Sequence, residues 1–278
     1  MTPARGEVGD RGPMPPPPEP LPVPVPDAHT HLDLQDTEVA DAVAAAAAVG
    51  VDTLIQIGID VASSRWSVQV AAEHERVWAT VALHPNEAPR LADLEQALAE
   101  VDALAARPEV RGIGETGLDH FRSDESLWEV QAESFRRHIE IAKRHGKTLV
   151  IHDRDAHADV LRILLETGAP ERVVFHCFSG DAEMAKICTE RGYVMSFAGN
   201  VTFRNNQYLR DALAVAPPDL VLVETDAPFL APLPYRGRPS APYLIPLTLR
   251  AMAQVKGMDV ADLGAAVAAT ANRMFGPF

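Results

Sequence analysis

Cysteine is almost missing: the 278 residues hold two, Cys177 and Cys188. They form no C-x-x-C pair and cannot build a disulfide framework, which excludes a small stapled secreted scaffold and fits a reducing cytoplasm. No apolar run approaches the roughly 18 to 20 residues that cross a bilayer. The N-terminus has no apolar stretch ahead of a cleavage site, so a secretory signal is not expected either. Basic residues are also short: 25 Lys and Arg stand against 39 Asp and Glu, a net charge of -14. That balance excludes a broad electrostatic grip on nucleic acid and leaves only a local basic patch. Internal repeats are absent as well. The expectation is a soluble cytoplasmic protein with no membrane association and no obligate protein partner.

Residues 1–22 are rich in Pro, Gly, Glu and Arg and have little to bury. The run "PMPPPPEPLPVPVP" favours extended polyproline conformations, so 1–22 is read as a disordered leader; a flexible extension outweighs an SH3-type ligand. Residues 23–278 form one domain with enough apolar residues, 47% of the chain, for a single large core. In this stretch short β-branched or apolar runs alternate with longer amphipathic ones. The strand candidates are 25–31, 52–59, 77–84, 110–116, 148–153, 172–178, 193–199 and 220–226, with helical patterns between them, such as 38–49, 63–74, 91–105, 127–145 and 208–216. Eight strands alternating with helices predict an α/β fold, a (β/α)8 TIM-type barrel.

The polar residues inside these runs carry the chemistry. In "PDAHTHLD" His29 and His31 are two apart, which puts them on one face of an extended strand. His84, Glu115, His152, His176 and Asp226 also stand at or just past the C-terminal ends of predicted strands, which in a barrel converge on one rim. A single histidine there is more often a hydrogen-bonded core residue; agreement across several strands favours a metal centre. Glu115 sits in apolar, glycine-flanked "GIGETGL" and Asp226 follows "LVLVET", and an unpaired carboxylate in either place would be costly to bury. His29, His31, Glu115, His152, His176 and Asp226 are too many ligands for one tetrahedral zinc but suit two divalent ions, among Zn, Mn, Mg, Co and Ni, sharing a carboxylate. Glu224 is read as a supporting acid, Asp27 and Asp33 as residues that orient the histidines or cap the following loop, and Cys177 and Cys188 as buried packing. His74, His138, His145 and His157 are read as surface or capping residues.

The motifs "DAHTHLD", "GETGLDHFR", "VIHDRDA", "FHCFSGD", "SFAGNVTFRN" and "VETDAPFLAP" resemble the TatD-like metal-dependent deoxyribonucleases of the amidohydrolase superfamily, over roughly residues 26–278. The resemblance implies His29, His31, Glu115 and Asp226 around one ion and Glu115, His152 and His176 around the other, with Glu115 as the bridge. His120, Thr116 and Ser240 depart from the family pattern at positions that touch substrate fit more than metal binding. The expected catalytic residues are Asp226, to orient or deprotonate the attacking water, and Glu115. The expected substrate contacts are His84, Arg122, Arg154, Arg204 and Arg236, with Arg238 beside them; at least two of these arginines are expected to pair with Asp119, Asp124, Asp153, Asp155 or Asp181. Phe178, Phe203, Phe229 and Tyr235 are candidates to stack a terminal base. The reaction implied is phosphodiester hydrolysis of single-stranded or frayed DNA by a 3′-5′ exonuclease. Hydrolysis of an amide, ester or lactone, such as an aminoacyl ester, is the alternative; many superfamily relatives of that kind bridge their metals with a modified lysine, where this chain has Glu115. A scaffold protein keeping a structural metal is the non-enzymatic alternative.

Overall fold

A computed structural model describes residues 12–278. Eight parallel strands form one sheet in sequence order: β1 (Val25–Thr30), β2 (Val51–Ile57), β3 (Val77–Val81), β4 (Val110–Asp119), β5 (Thr148–Arg154), β6 (Val173–Phe175), β7 (Val194–Phe197) and β8 (Val221–Val223). The helices are α1 (Val39–Ala48), α2 (Val61–Glu73), α3 (Leu94–Ala105), α4 (Trp128–His145), α5 (His157–Thr167), α6 (Ala182–Glu190), α7 (Gln207–Val215), α8 (Ile245–Lys256) and α9 (Val260–Phe275). The ring closes just past β8, where Asp226 N–H donates to His29 O and His31 N–H to Ala227 O, each at 2.9 Å. The expected (β/α)8 barrel is the fold of the chain.

The strands are apolar because both faces are covered, by the barrel interior on one side and the helices on the other. Val25, Ile55, Val81, Ile113, Leu149 and Val221 are fully buried. The helices begin where short acids can accept backbone N–H groups: Asp60, Asp93, Asp181 and Asp259 cap α2, α3, α6 and α9. No helix among the described residues is long and apolar enough to cross a membrane.

Two departures from strand regularity aim the site. Between Asp27 and Thr30 β1 advances three residues while β2 advances two, and between Ile113 and Thr116 β4 does the same against β5. Each extra residue is a bulge, which turns a side chain out of the simple alternation; the bulges fall at His29 and Glu115. β4 also runs to Asp119, three residues beyond its expected end, because Gly117, Leu118 and Asp119 continue the pairing with β5. Gly117 permits this: its φ is 136°, and a Cβ there would lie 2.1 Å from His152 O.

The expected leader over 1–22 needs revision where it is described; residues 1–11 lie outside the described residues. Pro15 and Leu21 are buried. Leu21 N–H donates to Val49 O at 3.0 Å, Pro15 O accepts from the Tyr243 hydroxyl at 2.6 Å, and Pro20 O accepts from Arg250 at 3.0 Å. Prolines donate nothing but keep their carbonyls, and their fixed φ lowers the entropy lost on ordering. The packed body therefore reaches back to Pro15.

His138 is a second revision: it is no surface residue. Fully buried in α4, it donates from Nδ1 to Ser134 O at 2.6 Å and accepts at Nε2 from Leu83 N–H at 3.0 Å, tying the helix to the end of β3.

Candidate metal centre

The six expected ligands and His84 come together at the C-terminal mouth of the barrel. Glu115 is the centre of the group. Its Oε1 lies 2.7 Å from His152 Nδ1, 3.0 Å from His176 Nε2 and 3.4 Å from His84 Nε2; its Oε2 lies 3.5 Å from His29 Nε2 and 3.8 Å from His31 Nε2. Asp226 Oδ1 stands 3.5 Å from His31 Nε2 and 3.9 Å from His29 Nε2. Three sets of donor atoms are close enough to share an ion: His29, His31 and Asp226; His29, Glu115 and His176; His84, Glu115 and His152.

The surrounding hydrogen bonds differ from ligand to ligand. His176 Nδ1 meets Glu224 Oε1 at 3.0 Å, and the same oxygen accepts from Cys177 N–H at 2.8 Å. His152 Nε2 meets Asp119 Oδ2 at 3.1 Å. His84 Nδ1 accepts from Asn86 N–H at 3.0 Å, so in the neutral ring the proton sits on Nε2, aimed at Glu115. Asp27 accepts from the His29 and Thr225 backbone N–H groups at 3.2 and 2.9 Å and ties β1 to the end of β8. Burial pushes the Asp27 carboxyl up to about 8, against those bonds and the Thr225 hydroxyl. Asp33 accepts from Gln56 Nε2 at 3.2 Å, supporting the loop after His31.

Charge follows the same geometry. Burial alone would raise the Glu115 carboxyl, yet His176 and His84 beside it, with hydrogen bonds from His152 and His176, hold it well below the usual carboxylate range. Burial works against a charged His176 too, but Glu115 and Glu224 drive its pKa well up. His29 goes the other way: burial and the stacked ring of His176, 3.7 Å away, lower its pKa. Asp226 is held low despite burial by His31, His176 and His29. Its backbone φ of 53° lies in the left-handed region, which aspartate tolerates better than most residues.

A divalent ion fits these residues. His29 Nε2, which faces Glu115 and Asp226, is buried with no hydrogen-bond partner, a costly state for a polar atom that an ion there would relieve. The 3.5 to 3.9 Å separations between these histidines and the two carboxylates are long for hydrogen bonds. Two donors each about 2.1 Å from one ion stand about 3 to 3.5 Å apart, so these separations are near those of shared ligands.

The rim arginines make no ion pairs with the aspartates expected to hold them. Asp119 is taken by His152, Asn86 and the backbone of Phe121 and Arg122; Asp153 pairs with His157 at 2.7 Å; Asp181 caps α6. Three of the five guanidinium groups lie on aromatic rings instead, Arg154 on Phe121 at 4.1 Å, Arg236 on Phe203 at 4.5 Å and Arg238 on Tyr235 at 5.9 Å. Arg122, Arg204, Arg236 and Arg238 are exposed and Arg154 is half-buried. Of the aromatics expected to stack a base, Phe178 does not qualify: it is 2% exposed and packs on Phe197 in the core. Cys177 is half-buried, with φ at 42° and Sγ 3.8 Å from Asn200 Nδ2, so it is not the fully buried packing residue expected; Cys188 is. Of the departures, Thr116 and Ser240 are buried and His120 stacks on Trp128 at 3.7 Å. Asp119 and Asn86 went unrecognised as supports for the histidines. The only sequence signal was Asp119 four positions after Glu115 in "GETGLD".

The pattern described as TatD related DNase matches residues 26–276. The uncharacterized metal-dependent hydrolase TatD of Mycobacterium tuberculosis is 43% identical over 231 residues, covering 82% of this chain and 87% of its own. Among solved structures, YJJV of Escherichia coli, a TatD homologue, superposes with a TM-score of 0.85 at 23% identity over 91% of this chain and 98% of its own. The phosphotriesterase homology protein of Escherichia coli, with phosphate in its active site, gives 0.67 at 16% identity over 92% and 99%. A match that spans every strand carrying these histidines and acids, together with that relative, means that the chain belongs to the TatD-related family of metal-dependent hydrolases.

Proposed function

We propose that this protein hydrolyses phosphodiester bonds of DNA, as a 3′-5′ exonuclease on single-stranded or frayed ends, with two divalent ions that the histidines and acids around Glu115 would hold. The observation that carries the reading is the division of one carboxylate: Oε1 faces His84, His152 and His176, and Oε2 faces His29 and His31. His29, His31 and Asp226 would hold one ion and His152 and His176 the other. When bound, such ions lower the pKa of water and polarise a phosphoryl oxygen.

The chain's own groups supply the rest. Asp226, ionised and at the mouth, would orient the attacking water and take up its proton on its carboxylate. His84 presents its Nε2 proton toward the centre, in position to donate to a phosphoryl oxygen. Arg122, Arg154, Arg204 and Arg236, free of ion pairs with the neighbouring aspartates, would neutralise non-bridging oxygens as a local basic mouth on an acidic body. A mouth built into one end of a closed barrel favours a strand end over a duplex interior. The phosphate in the active site of the Escherichia coli phosphotriesterase homology protein supports phosphoryl binding on this fold. Two free thiols are in keeping with a reducing cytoplasm as the place of action.

The test is hydrolysis of bis-p-nitrophenyl phosphate and of a 3′-labelled single strand with Mn or Mg supplied. Mononucleotide release abolished by chelator and by Asp226→Asn is the expected result. Both substrates intact at high enzyme, with turnover of an aminoacyl ester or lactone under the same conditions, would transfer the site to carbonyl chemistry.

A further inference from the structure

Phe121 is the most exposed aromatic ring among the described residues, at 61%, and it stands beside the buried metal centre. An apolar ring left this far in water gains nothing for folding, and its presentation is rigid. The Phe121 and Arg122 N–H groups donate to Asp119 Oδ1 at 3.1 and 2.8 Å, while Asp119 Oδ2 meets His152 Nε2 at 3.1 Å. One carboxylate thus fixes both the loop that carries the ring and a histidine of the centre. His120 N–H donates to Arg154 O at 2.9 Å, and the Arg154 guanidinium lies over the Phe121 ring at 4.1 Å. The exposure of the ring is consistent with one face backed by a cation and the other turned to solvent.

We propose that Phe121, backed by Arg154, is the stacking platform for the unpaired nucleobase next to the phosphate bound at the centre. This inference rests on the phosphodiesterase reading and names the part of the substrate that selects unpaired ends. Every base has a π-face, so an aromatic platform binds it whatever its identity, but only when the base has left its partner. Arg154 holds the ring from behind and leaves its remaining N–H groups for the adjoining phosphate. The other aromatics of the rim are less available: Phe178 is core, and Phe203, Phe229 and Tyr235 are half-buried, Phe229 with its ring against His31.

The experiment measures, by fluorescence anisotropy, binding of a labelled single-stranded oligonucleotide to the full chain with Ca supplied, for the parent, Phe121→Ala and Phe121→Trp. The side chain is exposed, so an unchanged thermal midpoint serves as the control for folding. Phe121→Ala should weaken binding about tenfold and Phe121→Trp should restore it. With an abasic residue at the terminal position, parent and Phe121→Ala should bind alike. Equal Kd for parent and Phe121→Ala on the normal strand, or no binding by the parent, overturns the platform. Hydrolysis of bis-p-nitrophenyl phosphate by the Mn-loaded parent is read in parallel. Its absence alongside a tenfold dependence on Phe121 overturns the hydrolytic reading and leaves the platform standing.

Discussion

The two sides of Glu115 are built differently. On the Oε1 side each histidine is anchored at its far nitrogen: His84 by Asn86 N–H, His152 by Asp119 and His176 by Glu224. On the Oε2 side His29 and His31 have no such anchor, and three of their four ring nitrogens are buried without a partner. Those two histidines are positioned by their backbone, through the β1 bulge, the Asp27 bond to His29 N–H and the His31 bond to Ala227 O, and by ring contacts with His176 and Phe229. The difference teaches that the same donor types are preorganised in two ways. One side has rings oriented by two carboxylates and a backbone N–H before anything binds, which also fixes the tautomer. The other leaves His29 Nε2, facing the two carboxylates, without a hydrogen-bond partner, and an ion would satisfy it.

The largest expected effect comes from the residue the two sides share. Glu115→Gln removes the charge both halves face, and hydrolysis of bis-p-nitrophenyl phosphate should fall by about 10³-fold or more, with bound metal by elemental analysis dropping to one ion per chain or fewer. Asp226→Asn strikes the unanchored side alone. It should lower kcat by about 10² to 10⁴-fold with the fold intact by circular dichroism, and near-parent turnover would remove Asp226 from its proposed role. Glu224→Gln and Asp119→Asn probe the anchors of the other side. Each should weaken metal binding about 10 to 100-fold in a chelator titration, because a freed imidazole must be ordered by the ion itself. Equal loss of both ions in these variants would erase the distinction between the sides.

The smallest effect belongs to a histidine outside both sides. His138 is buried as the neutral ring, and burial brings its pKa down to about 4. Between that value and the ordinary value near 6.5 the unfolded chain binds a proton that the folded chain refuses. Stability from this residue is therefore complete above pH 6.5 and declines as pH falls, by about 2 kcal/mol at pH 5. Urea denaturation at pH 7 and pH 5 should show the parent losing that much more than His138→Gln does.

The barrel was legible because most strands are short, largely apolar runs and because histidines and acids recur at their C-terminal ends. His29, His31, His84, Glu115, His152, His176 and Asp226 all declared themselves in that way. What was not legible depends on register and on contacts distant in sequence. Nothing in "DAHTH" or "GIGET" announces a bulge, since a bulge is a mismatch between two strands and one strand does not contain it. A strand ending at residue 116 leaves Asp119 in a loop within reach of an arginine; on the longer β4 it faces His152. His138 looked like any polar residue of an amphipathic helix until Leu83 supplied its donor from 55 residues away. The proline run hid its packing because its contribution is carbonyl oxygens, which every residue has.

The central claim is that Glu115 joins two ions. Anomalous diffraction from Mn-loaded crystals tests it most directly. Two peaks about 3.5 to 4 Å apart on either side of the Glu115 carboxylate, one ligated by His29, His31 and Asp226 and the other by His152 and His176, are the predicted result. A single peak, or two peaks of which one lacks Glu115 as a ligand, would contradict it.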